Sequence, residues 1–345
     1  RVREMNTRLM KTYEDLTFKS AKDSDIKREN ANIDADTAMG TMLKYGSEGA
    51  KQFYEMYVLD PDHAKAHIEG DIHIHDLDFL TLTTTCCQID IIKLFKGGFS
   101  TGHGFLREPQ SIQSYAALAA IAIQSNQNDQ HGGQSIPNFD YGMALGVAKT
   151  FRKAYTNKLT EGLEDFLDTE DEKDNVTKIL ADVKEATGMS PRLETDAEKF
   201  DAAVSEQITK KYNIPQEKAA HLVEVARRRA NRKADRDTYQ AMEGFVHNLN
   251  TMHSRAGAQT PFSSINYGTD TTPEGRMVIR NILLATDAGL GHGETCIFPI
   301  HVFKVKEGVN YNEGDPNYDL FKLSCKVSAK RLFPNYIFLD APFNL

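Results

Sequence analysis

The stretch Phe262-Ser263-Ser264-Ile265-Asn266-Tyr267, followed by Pro273 to Ala288 and then by Thr295 to Lys306, decides the fold. The outer two pieces carry the two-residue alternation of strands, and the middle one opens on proline and has the length of a helix. Strand, helix, strand in that order describes an α/β architecture with substantially parallel strands. Towards the N-terminus the same grammar recurs. Tyr141 to Leu159 reads as a helix, and so does a run opening at Pro109, where Ile112, Tyr115, Ala116, Ala119 and Ile123 share one stripe. Asn126 to Asp140, between them, reads as a loop. Thr81 to Ile92 is rich in Thr and Ile and reads as extended. Asp71-Ile72-His73-Ile74-His75-Asp76 alternates strictly and reads as a strand. Residues 5–60 read as helical, and Asp60-Pro61 offers a cap and a first-turn proline for a further helix. Residues 160–240 are highly charged and read as surface helices. Their acidic run, Glu161 to Asp174, and basic run, Arg227-Arg228-Arg229 with Arg232 and Lys233, read as solvated faces.

Composition narrows the function. The 345 residues are 40% hydrophobic and 26% charged, ordinary for a soluble globular protein. A net charge of −8 argues against a protein that wraps polymeric nucleic acid, but not against one that takes nucleotides singly. No apolar run approaches a membrane span, and the opening residues do not form a signal peptide. The four cysteines, at 86, 87, 296 and 325, have neither metal-site spacing nor the density of a disulfide framework, so a reducing, cytoplasmic setting is expected. The chain opens at Arg1 and closes at Leu345 without a stop or tail signature, and both ends read as cuts in a longer protein.

Four segments carry side chains able to do chemistry. On a strand, His73 and His75 would share a face, where two imidazoles can contact a sugar or phosphate, make structural hydrogen bonds, or bind a metal with Asp76 or Asp78. Cys86 or Cys87 could be a redox thiol or core filler, and spacing alone does not choose between them. Gly133, Gln134 and Ser135, in an amide-rich turn, could meet a ligand with backbone and side chains. Arg255 and Gln259, just before the Phe262 strand, suit polar recognition. In α/β folds such groups gather at strand ends and in the loops that follow, so the His73 strand, the Cys86 strand and the Gly132 turn are expected to share one mouth.

Several segments, in order, resemble anaerobic (class III, glycyl-radical) ribonucleotide reductases. They are Gly70 to Asp78, Gly98 to Gly104, Gln124 to Asp129 with Gly132 to Pro137, Ser254 to Phe262, Gly291 to Pro299 with Phe303 to Lys306, and Gly314 to Asp319. The resemblance implies the N-terminal part of a ten-stranded α/β barrel with a charged helical insertion. It divides residues 1–345 into a helical lead-in (1–70), first strands with dimer and effector helices (71–160), a charged helical segment (160–245) and further barrel elements (246–345). It implies reduction of ribonucleoside triphosphates by a glycyl and thiyl radical mechanism, with formate or a thioredoxin-like protein as reductant and a radical-SAM activating enzyme as partner.

The resemblance puts the second catalytic cysteine at Cys86, since counting to Gly98-Phe99 gives the family spacing from there. It makes His73, His75, Gly133, Gln134, Ser135, Arg255 and Gln259 substrate contacts. Deoxynucleotide effectors would bind near Gln110, Gln113 and Lys153 on helices of a homodimer interface, towards which the alanine stripe would turn. The ATP cone would precede Arg1. The finger loop, zinc site and glycyl-radical loop would follow Leu345, so no metal ligand is assigned and the chain alone is expected to be inactive. Adjacent Cys86 and Cys87 also invite comparison with pyruvate formate-lyase relatives, whose surrounding residues do not fit. A nucleotide-binding dimerisation module is the non-enzymatic alternative.

Overall fold

The computed structural model describes residues 2–19, 22, 34–253 and 259–344. Helix α1 (Val2–Thr17) packs on α2 (Ala38–Phe53), which continues as a π-helical turn, Tyr54–Val58. Helix α3 (Pro61–Glu69) is delimited as its sequence demands: Asp60 accepts from the Asp62 N–H at 2.9 Å, and Gly70 ends it at φ 85°. Strand β1 (Cys87–Gln88), helix α4 (Ile91–Phe95) and the hairpin of β2 (Phe99–Ser100) and β3 (Phe105–Leu106) follow. Then come α5 (Ile112–Asp129), β4 (Gln134–Ile136) and α6 (Phe139–Leu167). Helices α7 (Lys173–Thr187), α8 (Ala197–Tyr212) and α9 (Gln216–Thr251) lead to β5 (Ser263–Tyr267). The chain closes with α10 (Pro273–Ala288), β6 (Ile300–Val305), α11 (Tyr318–Arg331) and β7 (Asn335–Phe338). Among the described residues no helix is long and apolar enough to cross a membrane.

The main sheet has five strands in the order β1-β4-β5-β6-β7, all parallel. The α/β reading of the deciding stretch therefore holds. Residues of β5 and β6 alternate in burial, sending Ile265, Tyr267, Phe303 and Val305 into the core. There they join α6 (Phe139, Met143, Val147), α9 (Met242, Phe245, Leu249) and α10 (Ile279, Ile282) in one contiguous cluster.

Four expectations need correction. Asp71–Asp76 is not a strand. Beyond Gly70 the backbone bonds back to the helix it has left: Asp71 and Ile72 donate to Ala66 O (2.9 and 3.3 Å), and Ile74 N–H donates to His67 Nδ1 (3.2 Å). Of Thr81–Ile92 only Cys87–Gln88 pairs as strand, because Asp90 caps α4 instead. Helix α5 opens at Ile112 rather than Pro109, with Ser111 and Ser114 capping each other's backbone N–H reciprocally. The loop expected over 126–140 is the end of α5, strand β4 and the start of α6.

The charged segment is more than a solvated surface. Helix α9 carries Ala219, Val223, Ala226, Ala230 and Ala234 at helical spacing, all buried. Arg227 donates to Asp201 (2.8 Å, Nη2–Oδ1) and to the Arg192 and Leu193 carbonyls (2.6 and 2.7 Å), and lies 5.4 Å over the Phe151 and Tyr155 rings. The alanines of α5 are likewise consumed inside the chain. Ala116, Ala119 and Ala120 are buried where α5 meets α6 and α9, rather than turned to a second copy. That approach needs Gly146, where a Cβ would stand 2.9 Å from the Tyr115 ring and 3.1 Å from Ile112 Cα.

Two predictions follow from this packing. Gly146→Ala should destabilise the protein by about 1–3 kcal/mol through overpacking. Gly162→Ala, on the same helix with only Leu222 Cδ2 nearby at 3.9 Å, should be neutral or stabilising by roughly 0.5–1 kcal/mol. Thermal denaturation of the two variants checks the ordering. His301, fully buried on β6, sits 2.9 Å from Tyr267 Oη through Nδ1 and 3.4 Å from Thr286 Oγ1 through Nε2. Thr286 already donates to Ile282 O, so its oxygen can accept from Nε2–H while Nδ1 accepts from Tyr267. Burial depresses the His301 pKa from 6.5 to about 3. Because the folded pKa is the lower one, this group's contribution is complete above about pH 6.5 and is lost as pH falls towards 3. Its share of the slope is about 1.4 kcal/mol per pH unit. Urea unfolding across that range should show His301→Gln with a slope shallower by that amount; equal slopes would refute the assignment.

Candidate functional site

The candidate site lies before the strands of the sheet, not after them as the general rule for such folds led one to expect. Cys86 immediately precedes β1, Gly132 and Gly133 precede β4, and Gln259 precedes β5. Cys86 is exposed and has a left-handed backbone, φ 61°. Its N–H donates to His131 O (2.8 Å), and the Gln130 side chain donates to its carbonyl (3.2 Å). The sulfur lies where a Cβ on Gly132 would be 3.1 Å away and one on Gly133 3.9 Å away. Gly132 itself has φ 93°, so glycine is needed there both for conformation and for room. Cys87 borders a different cavity, formed with residues of β2 and α5, so the two adjacent thiols serve different surroundings.

A cavity of about 720 Å³ is lined by residues of α2, by 73–79 and by His131 and Gln259; Cys86 is not part of its lining. The cavity brings His73, His75 and Gln259 together, although 73–75 is not a strand, while Cys86 and Gly132, expected at the same mouth, do not line it. His131 links this cavity to the thiol, since its carbonyl holds the Cys86 backbone while its ring faces the cavity. The ring stacks on Phe79 at 3.9 Å, and Nε2 meets Asp76 Oδ1 at 2.8 Å. Asp76 Oδ2 is 3.5 Å from His75 Nε2, and Asp78 accepts from Ser47 at 2.7 Å. Ligand atoms of Asp76, Asp78 and His131 fall within 4.8 Å of one another, a spacing that could hold a cation. The hydrogen bonds to His131 and Ser47 already account for that grouping without one.

Gln134 is buried and structural, bonded to the Asn126 side chain and to the Gln130 and Gly132 carbonyls (3.1 and 3.2 Å). It fixes the turn beside Cys86 rather than facing a ligand. Ser135 pairs with Gln88 and Ser264 in the ladder. Arg255 lies outside the described residues.

Residues 29–345 match the family model described as anaerobic ribonucleoside-triphosphate reductase. The chain belongs to that family. Among curated relatives, it is 29% identical to the anaerobic ribonucleoside-triphosphate reductase of enterobacteria phage T4 over 95% of this chain and 44% of that protein. It is 26% identical to the Escherichia coli K12 enzyme over 91% of this chain and 36% of that one. The chain thus spans well under half of these relatives. In fold it is similar to the anaerobic ribonucleotide reductase from Thermotoga maritima in complex with dATP and CTP, with TM-score 0.52 and 12% identity over 99% of this chain and 50% of that one. A second structure of that enzyme, with dATP bound in the specificity site, gives TM-score 0.52 at 11% identity. These neighbours are ten-stranded α/β barrels, and the five parallel strands here are the like of one half.

Gln110, Gln113 and Lys153 are exposed. Ile112 N–H donates to Thr150 Oγ1 at 2.8 Å, so the start of α5 sits beside the stretch of α6 that carries Lys153. Sequence reasoning missed His131 altogether and offered Asp76 only as a possible metal ligand. The available signal was the conjunction of a histidine next to the Gly132-Gly133 pair and an acidic residue next to His75.

Thiol accessibility gives a direct check. Cys86 and Cys325 are exposed, Cys87 is partly covered, and Cys296 is 3% exposed with its pKa raised by burial. Brief iodoacetamide treatment followed by peptide mass spectrometry should label Cys86 and Cys325 first and Cys296 only on unfolding. Protection of Cys86 in the native protein would contradict this geometry.

Proposed function

We propose that this chain forms part of the catalytic barrel of an anaerobic ribonucleoside-triphosphate reductase, with Cys86 as a hydrogen-donating thiol. The observation that carries the reading is the exposed Cys86 sulfur, seated against a turn that only glycine fits and tied through its backbone to His131, which lines the cavity of His73, His75 and Gln259. The space left by the missing Gly132 side chain is the room a reacting thiol needs. In the intact enzyme the glycyl radical would supply the oxidising equivalent that opens the ribose to reaction. Cys86 then gives its S–H hydrogen atom to the C2′ position from which water has left, and the sulfur is restored by a reductant, formate or a thioredoxin-like protein. His73, His75 and Gln259 are the polar contacts available to a ribonucleoside triphosphate in the cavity, with Arg255 a further candidate. The Asp76–His131 pair orients the loop that carries the thiol.

Around this site we place the regulatory and assembly roles of the family. Gln110, Gln113 and Lys153 form the effector patch for a deoxynucleotide, on a homodimer face. Activation by a radical-SAM enzyme, a zinc site and the glycyl loop belong to other parts of the whole protein, which acts in the cytoplasm.

The decisive test uses the full-length, activated enzyme. Cys86→Ser should reduce ribonucleotide turnover to background while the glycyl radical still forms and is visible by electron paramagnetic resonance. Cys87→Ser should keep most of the turnover. Undiminished reduction by Cys86→Ser would overturn the assignment.

A further inference from the structure

We propose that the groove between α6 and α9 is a binding site for a compact polyphosphate, free or as the triphosphate tail of a nucleotide. Its volume is about 520 Å³, and every residue lining it is basic: Lys158 on α6, and Arg229, Arg232, Lys233 and Arg236 on α9. At 100° per residue, positions 229, 232, 233 and 236 form one stripe, roughly 10 Å long at 1.5 Å per residue.

The nearby acids neutralise only its two lysines and leave the three arginines. Asp235 is taken by Arg280 and by Asn281 (2.9 Å), Asp237 by Lys233 (2.9 Å), and Glu161 by Lys158 (2.6 Å). Arg229, Arg232 and Arg236 have no carboxylate within 4.0 Å among the described residues. Their neighbour Arg227 shows the contrast, being bound to Asp201 and to two carbonyls. Three unpaired guanidiniums held on one face repel one another, and a multivalent anion offsets that repulsion with bidentate hydrogen bonds.

The stripe ends after two turns, and the whole chain carries a charge of −8. A compact anion fits those facts better than a nucleic acid, which needs an extended basic track. The groove is also distinct from the patch proposed for effectors. Lys153 and Lys158 are five residues apart on α6, about 140° around the helix. The inference does not rest on the reductase reading, because it concerns binding without turnover.

The test is calorimetric titration of the protein with sodium tripolyphosphate, ATP and a short oligothymidylate, at low and raised salt. Tripolyphosphate should bind once per chain, more weakly as salt rises. Arg229→Glu and Arg236→Glu should each weaken it by about tenfold or more, and Arg229→Gln by several-fold. These positions are exposed, so folding should be preserved, and the conservative variant stands in if a reversal fails to fold. Arg228→Gln, paired with Glu224 outside the groove, should change nothing. Equal affinity for ATP identifies a free polyphosphate site, and tighter ATP binding identifies a nucleotide; both support the proposal. It is overturned by absence of tripolyphosphate binding, by binding that survives the reversals, by loss in Lys153→Ala instead, or by preference for the oligothymidylate.

Discussion

The carboxylate of Asp140 ties the sheet together. It stands in the first turn of α6, just after β4, and accepts the N–H groups of Gly268, Thr269 and Asp270 in the turn after β5 (2.9, 3.2 and 3.1 Å). Lys304 of β6 adds a bond to Pro137 O at 2.5 Å, and Asn317 bonds the Gly268 and Asp270 carbonyls (3.1 and 2.9 Å). Burial pushes the Asp140 carboxyl pKa upward while the backbone donors oppose that shift, so the acid is held in place by groups it alone satisfies. The three central strands are thereby locked at the ends where they finish. The opposite ends, where Cys86, His131 and Gln259 lie, are free of that network and carry the candidate chemistry. A fold rule that looks for sites after parallel strands fails here because those ends are filled with structural bonds.

How much of this was legible follows from what each signal measures. The β5–α10–β6 unit could be read because alternation and capping residues there agree with tertiary packing. Pro273 does open α10, and the structure adds Thr272 as its cap and Gly289 as its end at φ 78°. The Asp71–Asp76 alternation misled because period two describes a strand only where a neighbouring strand can pair. Here the backbone donors are spent on α3, and Ile72 remains 46% exposed. Cys86 was preferred to Cys87 only through an ordered set of resembling segments, because residue type and spacing alone do not choose between them. His131 escaped notice because a single histidine in a glycine turn has no spacing pattern, and its role appears only once Asp76 and Phe79 come near.

The charged segment teaches the same lesson on one helix. Composition cannot separate Arg227 from Arg229, yet two residues turn the side chain through about 200°. One guanidinium is then ringed by a carboxylate, carbonyls and aromatic faces, and the other lines a groove of like charges. Average charge over residues 160–240 hid the buried alanine face as thoroughly as it hid this division.

The left-handed backbone of Cys86 has an evolutionary corollary. Only glycine occupies that region freely, and a side chain there costs on the order of 1 kcal/mol or more. Under drift alone, descendants would accumulate glycine or asparagine at this site and gain stability by doing so. A lineage that keeps sulfur there would be held against its own conformational gradient, and under the role proposed for Cys86 loss of the cysteine should accompany loss of that role.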